Sequence, residues 1–343
     1  MSRPRNRSTT TIVEVAAAAG VSMKTVSRVL NREGLVRDET ADKVRGAAAR
    51  LGYTVNLSAQ RLARGRSHNI GILLVAGSNW QRTGQLVAGA LAPSQARGYG
   101  LVPHVIEKYE GDERSVVLAL KARKAVDGLL LTVPWSENAR LLEDLAEHGV
   151  PHVCITGPGT TGHISVRSAD EAAAYSLTRY LLDLGHRKIS VVGGQPHLNV
   201  TRERLAGYRR AMSEAGIDPD CMPHVFGDYL FATGYNGAAQ LLTSASWPTA
   251  LFCLTDALAA GAMRQAHERG VPVPGTMSIV GFGDSGIADT IWPTLTAVAV
   301  PTADLAAMAA SLLMDLIEGK TGVGDILLPA PLVVRASSGR GSA

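Results

Sequence analysis

Met23, Lys24, Thr25, Ser27 and Arg28 form a short run of side chains suited to a grooved, anionic surface. Lys and Arg donate to paired acceptors such as guanine O6 and N7, and a methionine such as Met23 can lie against a thymine methyl. Thr25, Ser27 and, just beyond them, Asn31 suit phosphate oxygens, which position a protein on a duplex without reading its sequence.

The surrounding residues specify how this run is presented. Thr11-Ile12-Val13-Glu14 has the form of a capping box, a Thr N-cap with Glu at the third helical position. Ile12, Val13, Val15, Ala16 and Ala19 follow as an apolar face, and Gly20 stops the helix. After a turn of Gly20-Val21-Ser22, Ser22 can cap a second helix, Met23 to Asn31. Val26, Val29 and Leu30 turn inward and the polar run outward. Two short helices with so tight a turn form a helix-turn-helix. Asp38 can cap a third helix to about Leu51, with Val44, Ala48 and Leu51 inward. A three-helix protein-interaction module is the alternative, and charge bears on the choice. Residues 1–66 hold 13 Lys+Arg and 5 Asp+Glu, and the remainder holds 21 and 25. A basic head on a mildly acidic body points to a polyanion partner.

Other chemistries lack their residues. Gly157-Pro158-Gly159-Thr160-Thr161-Gly162 fits GxGxxG. A dinucleotide site needs a helix to begin at those glycines, whereas His163-Ile164-Ser165-Val166 reads as extended, so the stretch is expected to be a surface loop. The nine histidines never fall in HExxH or a clustered spacing, and neither GxSxG nor a Walker A run occurs. Cys154, Cys221 and Cys253 form no metal or disulfide pattern. No enzymatic activity, cofactor or metal is expected. No apolar run reaches the ~18 residues of a membrane span, and Met1 to Thr11 lacks the apolar core of a secretory signal. A cytoplasmic location is expected.

The run Val15 to Asn31, VAAAAGVSMKTVSRVLN, closely resembles the helix-turn-helix of the LacI (lactose repressor) family. So do Thr40-Ala41-Asp42-Lys43-Val44 and Leu51-Gly52-Tyr53. Asn56-Leu57-Ser58-Ala59-Gln60-Arg61-Leu62-Ala63 resembles that family's hinge helix, with Val55 where the family usually has Pro. The resemblance implies a sequence-specific DNA-binding transcriptional regulator, most often a repressor, acting as a homodimer on near-palindromic double-stranded DNA. It adds Thr11, Ser22, Asn56, Ala59 and Leu62 to the DNA-contacting set. A hinge helix of about eight residues is marginal alone. Leu62 either wedges into the minor groove, unstacking a base step, or packs against its dimer mate.

From residue 69 apolar strands alternate with amphipathic helices. Strands are predicted at Asn69–Val75, Leu101–Ile106, Gly128–Thr132 and His152–Thr156, with helices near 82–97, 112–124 and 136–148. A second series runs from Ala169, with strands at Lys188–Val192, His224–Phe226, Ala250–Leu254 and Ser278–Phe282. Repeated βα units mean parallel sheets with helices on both faces. The expected fold is a small all-α helix-turn-helix domain, residues 1–55, and a hinge, 56–66. An α/β two-lobed body with doubly wound parallel sheets follows over 67–343 and resembles periplasmic binding proteins. Lobe one is expected at about 67–167 and 298–326, and lobe two at about 168–297 and 327–336. Gly185-His186-Arg187-Lys188-Ile189, Arg204-Leu205-Ala206-Gly207-Tyr208 and Trp292-Pro293-Thr294-Leu295-Thr296 carry the family resemblance into the body. The tail from Arg335 has no apolar heptads, so the lactose repressor's tetramerising coil is not expected.

Ligands of parallel α/β lobes bind beyond the carboxyl ends of strands. That rule selects Ser78, Asn79 and Trp80 in lobe one, and Gln195, Thr255, Asp256, Gly283 and Asp284 in lobe two. By resemblance, Arg204 matches an arginine that grips the hydroxyl or carboxylate of an effector, and Tyr229 an aromatic over a sugar face. Trp80 either does the same from the other lobe or simply packs. Asp256 either contacts ligand or caps its helix. Thr255-Asp256 and Gly283-Asp284 depart from the family's usual Asn-Asp and Asp-Asp or Asp-Asn. A sugar or sugar acid is the small-molecule effector the family implies.

Overall fold

The computed structural model describes residues 10–30, 36–53, 66–76, 80–106, 125–157, 162–243, 247–322 and 324–341. Asn31, Asn56, Ala59, Leu62, Ser78, Asn79 and the helix expected near 112–124 lie outside the described residues. The chain divides into two compact units, Met1–Ser67 and His68–Ala343.

The first unit is three helices, α1 (Ile12–Ala19), α2 (Met23–Leu30) and α3 (Asp38–Arg50). The capping box is present: Thr11 N donates to Glu14 Oε2 at 2.6 Å, and Glu14 N to Thr11 Oγ1 at 3.4 Å. Gly20 ends α1 in the left-handed region, at φ 66°, where a side chain would be strained. Ser22 Oγ accepts the Thr25 amide at 3.2 Å and so caps α2. Val15, Val26 and Val44 are fully buried with Ala47, and each buried valine contributes about 1.5–3 kcal/mol. Two expectations for this unit are corrected. Arg37, not Asp38, is the N-cap residue of α3 and makes no side-chain cap; Asp38 sits inside the first turn, where its charge favours the helix dipole. Leu51 is 40% exposed, because α3 has ended and the residue no longer follows the inward stripe.

The second unit carries two sheets. The first has β1 (Asn69–Val75), β2 (Gly100–Ile106), β3 (Gly128–Thr132), β4 (His152–Ile155) and β5 (Ser165–Ser168), in the order β11-β5-β4-β3-β1-β2. Its helices are α4 (Trp80–Ala96) and α5 (Ala139–Glu147), the latter preceded by a 3-10 turn at Trp135–Glu137. The chain then passes through α6 (Asp170–Asp183) into the second series. This comprises β6 (Ile189–Gly193), α7 (Asn199–Glu214), β7 (Val225–Phe226), α8 (Phe231–Leu241), β8 (Ala250–Cys253), α9 (Asp256–Glu268), β9 (Ser278–Gly283), α10 (Gly286–Thr290) and β10 (Thr296–Ala299). α11 (Thr302–Ile317) packs against α4 and on β3, β4 and β5. β11 (Ile326–Leu328) and β12 (Leu332–Val333) complete the two sheets.

The second sheet runs β12-β10-β9-β8-β6-β7. Every pairing is parallel except β12 on β10. All five residues of β3 are buried, as a parallel strand covered on both faces requires.

The lobe boundaries near 297 and 326 need correction. Val298 and Ala299 pair with β9 in the second sheet. Ile326–Leu328 does not join that sheet; it pairs with Val166–Ser168 of β5 at the edge of the first. Pro329-Ala330-Pro331 separates the two last strands, and proline lacks the amide that a continuing ladder needs. The chain therefore crosses there. Beyond β12 the polar tail is built into the second sheet. Ser337 is fully buried, and its Oγ accepts from Thr296 N at 2.9 Å and donates to Ile279 O at 2.6 Å.

Among the described residues, no helix is long and apolar enough to cross a membrane.

Candidate functional site

In the first unit, α2 is two-faced. Val26 and Val29 are buried, while Met23 is 54% exposed and Lys24 and Arg28 are exposed. Lys24 and Arg28 are four residues apart, which places them one above the other on one helix face. Thr25 and Ser27 are half-buried beside them, and Thr11 and Ser22 are exposed at the helix starts. Ser22 Oγ also lies 2.9 Å from Thr25 Oγ1, so both hydroxyls serve the cap of α2. The face thus presents two flexible cations, a thioether and hydroxyls on a helix held rigid from behind.

In the second unit, a cavity of about 190 Å³ opens between the two sheets at the carboxyl ends of their strands. The first sheet's side contributes Leu74 and Val75 from β1, Arg82, Gln85 and Leu86 from α4, and Thr132 from β3. The second contributes Val200 and Arg204 from α7, Tyr229, Thr255, Asp256, Phe282 and Ser285. The walls are mainly apolar, with a few placed polar groups, the usual make-up of a small-molecule site.

Arg204 is only 3% exposed and fixed on three sides. Its Nε donates to Asp170 Oδ2 at 2.9 Å, and Nη2 lies 2.7 Å from the same oxygen. Nη1 donates to the Leu254 carbonyl, and the guanidinium carbon stands 3.9 Å over the Phe282 ring. A surface pairing with Glu203 is excluded, since Glu203 instead meets Arg167 at 3.4 Å and Asn199 at 2.9 Å. Held this way, the arginine presents donors in a fixed orientation, the property that suits it to hydroxyl or carboxylate recognition.

Tyr229 lies against Gly194, where any Cβ would stand 2.2 Å from the ring, and its hydroxyl bonds Thr201 Oγ1. Burial pushes its phenol up. Thr255, not Asp256, is the N-cap of α9, its Oγ1 accepting Leu258 N at 3.2 Å. Asp256 is 2% exposed, and its Oδ2 accepts from Ser285 N at 2.6 Å and Ser285 Oγ at 2.8 Å. Its Oδ1 is buried without a hydrogen-bond partner among the described residues. Burial, the largest effect on it, raises this carboxyl above the usual range.

Two selected residues lie elsewhere. Trp80 is 81% exposed and is not among the cavity's lining residues. Successive helical residues turn by about 100°, so Trp80 and the lining Arg82 are roughly 200° apart around α4. Asp284, with φ 50°, ion-pairs with Arg335 Nη1 of the tail at 2.6 Å and does not line the cavity. Gln195 is exposed and does not line it either, while Gly283 does. Arg82, Gln85, Thr132, Phe282 and Ser285 were not singled out from the sequence. For Arg82 and Gln85 a signal existed, the first turns of the helix after β1, but the rotational phase of that helix was open.

A three-helix DNA-reading head and a body of two parallel sheets closing on one apolar cavity define a class of ligand-responsive, helix-turn-helix regulators. Residues 11–56 match the family described as bacterial regulatory proteins, lacI family, and residues 178–338 a periplasmic binding protein-like domain. The chain is 34% identical over 333 residues to the HTH-type transcriptional repressor PurR of Proteus mirabilis, covering 96% of each. To the ribose operon repressor of Escherichia coli K12 it is 31% identical, covering 96% of this chain and 99% of that one. Among solved structures, a lac repressor dimer bound to operator and the anti-inducer ONPF superposes with a TM-score of 0.85 at 29% identity, covering 96% of this chain and 99% of that one. The chain belongs to the LacI family of transcriptional regulators.

Proposed function

We propose that the chain is a sequence-specific repressor whose operator affinity is set by a small molecule, a sugar or sugar acid, bound in the cavity of the second unit. It acts by binding rather than catalysis, as a homodimer in the cytoplasm, on a near-palindromic duplex. Lys24 and Arg28 read base edges in the major groove, with Met23 against a thymine methyl. Thr11, Ser22, Thr25, Ser27 and Asn31 hold the backbone. Asn56, Ala59 and Leu62 belong to the hinge contact in the minor groove, where Leu62 is the wedge.

The observation that carries the ligand reading is the convergence of Arg204, Tyr229, Thr255 and Asp256 on one cavity whose opposite wall comes from the first sheet. A ligand touching both walls has a different affinity for each lobe arrangement, and only such a difference can move an equilibrium between states. The cavity lies below the ~300–1,000 Å³ of sites for drug-sized ligands, which favours a single small metabolite.

The test is selection of duplexes from a random pool by the full chain, followed by fluorescence anisotropy on the enriched sequence with and without sugars and sugar acids. The expected result is a two-fold symmetric site with half-sites about one DNA turn, ~34–36 Å, apart. Its affinity should change when a ligand occupies the cavity. Enrichment of no symmetric site would reject the regulator reading.

A further inference from the structure

Two guanidinium groups face the same small cavity from opposite walls: Arg204 from α7 and Arg82 from the first turn of α4. They are not equivalent. Arg204 is matched, since Asp170 takes both its Nε and Nη2. Arg82 Nη2 reaches a neutral hydroxyl, Thr156 Oγ1, at 3.5 Å. Asp170, the carboxylate that acts on Arg82, is already engaged by Arg204. Asp256, the other acid in the lining, is directed to Ser285. Around these groups stand Leu74, Val75, Leu86, Val200, Leu230 and Phe282, and among such walls like charges repel more strongly than in water. Desolvation first, and then the charge of Arg204, push the Arg82 guanidinium below its ordinary value.

Resting on the cavity reading above, we propose that the effector is an acid whose carboxylate or phosphate lies between Arg82 and Arg204 and ties the two lobes together. An anion there supplies the charge that the walls lack. It gains charge-assisted, fork-like hydrogen bonds from both arginines. Thr132 and Gln85 remain for the hydroxyls of the same molecule. A neutral sugar would leave two cations facing each other in an apolar site. The acidic group therefore distinguishes the effector from its neutral parent, and α4 is the element it draws toward the second sheet.

The test uses the full chain and its Arg82→Met, Arg82→Gln and Arg204→Met variants. Thermal unfolding without ligand comes first. Removing one of two facing cations should raise the Tm of R82M by about 2 °C or more. Titration calorimetry at fixed ionic strength then compares glucose, gluconate and glucose 6-phosphate. An acid should bind at least about tenfold more tightly than glucose, and R82Q should erase that advantage. Whether gluconate or the phosphate ester wins identifies the acidic group.

Glucose binding as tightly as the acids, with R82Q indifferent and R204M defective, would overturn the acid inference and leave the cavity reading standing. Binding that survives both R82Q and R204M would remove the cavity reading as well. If no probe binds, the Tm comparison decides: a rise in R82M supports the charge argument, and no change or a fall overturns it.

Discussion

Asp170, the first residue of α6, holds Arg204 of α7 through one carboxylate oxygen, 2.9 Å from Nε and 2.7 Å from Nη2, and both side chains are almost fully buried. A second contact locks the acid: Ser168 Oγ donates to Asp170 Oδ1. Breaking a buried pair on one side leaves an uncompensated charge, which costs about 3–5 kcal/mol. Asp170→Ala should therefore destabilise the body by roughly that amount and abolish any ligand response. D170A/R204M should recover much of the stability but not the response. Chemical denaturation of the four members of this cycle measures the coupling, and purely additive losses would contradict it.

Lys24 and Arg28 are exposed on α2, so Lys24→Ala and Arg28→Ala should leave folding intact. Where either residue reads a base, its loss should lower specific affinity by about 1–3 kcal/mol and relax preference at one position of each half-site. A residue on phosphate would instead weaken all duplexes alike and flatten the salt dependence. Anisotropy on the selected site and on single-base variants of it separates the two roles.

The raised carboxyl of Asp256 makes a pH prediction. The folded state holds this proton to higher pH than the unfolded chain, whose value is near 3.8. Between the two values the native state binds more protons, so its contribution to stability falls as pH rises. Asp256→Asn keeps an acceptor for Ser285 and removes the titration. D256N should thus gain on the parent as pH rises from 4 to 7, the gap closing near pH 3.8. A constant difference across that range would show that the carboxyl does not titrate there.

If Leu62 is the minor-groove wedge, Leu62→Ala should lose most operator affinity while binding to random duplex persists, because counterion release is independent of sequence. Gel shifts on both duplexes provide the comparison. Equal losses on the two would count against the wedge and favour a contact between dimer mates.

What the sequence determined by itself is local. The Thr11–Glu14 box, the Gly20 stop and the Ser22 cap depend on residues three or four apart. The inward stripe of Val26 and Val29 and the buried run of β3 follow from periodicity. The choice of Arg204, Tyr229, Thr255 and Asp256 came from strand ends and family resemblance, and all four line the cavity.

Tertiary structure decided which surfaces meet. Leu327-Leu328 and Leu332-Val333 are alike in composition, and only the vacant edges of β5 and β10 assign them to different sheets. The phase of α4, set by its packing on α11, turns Arg82 inward and Trp80 to solvent. Asp284 is drawn from the cavity by Arg335, about fifty residues along the chain, and Asp170 finds Arg204 across a helix pair. Caps and stripes are written in neighbouring residues. Edge pairing, helix phase and buried ion pairs depend on groups distant in sequence, so they are settled only when the whole core packs.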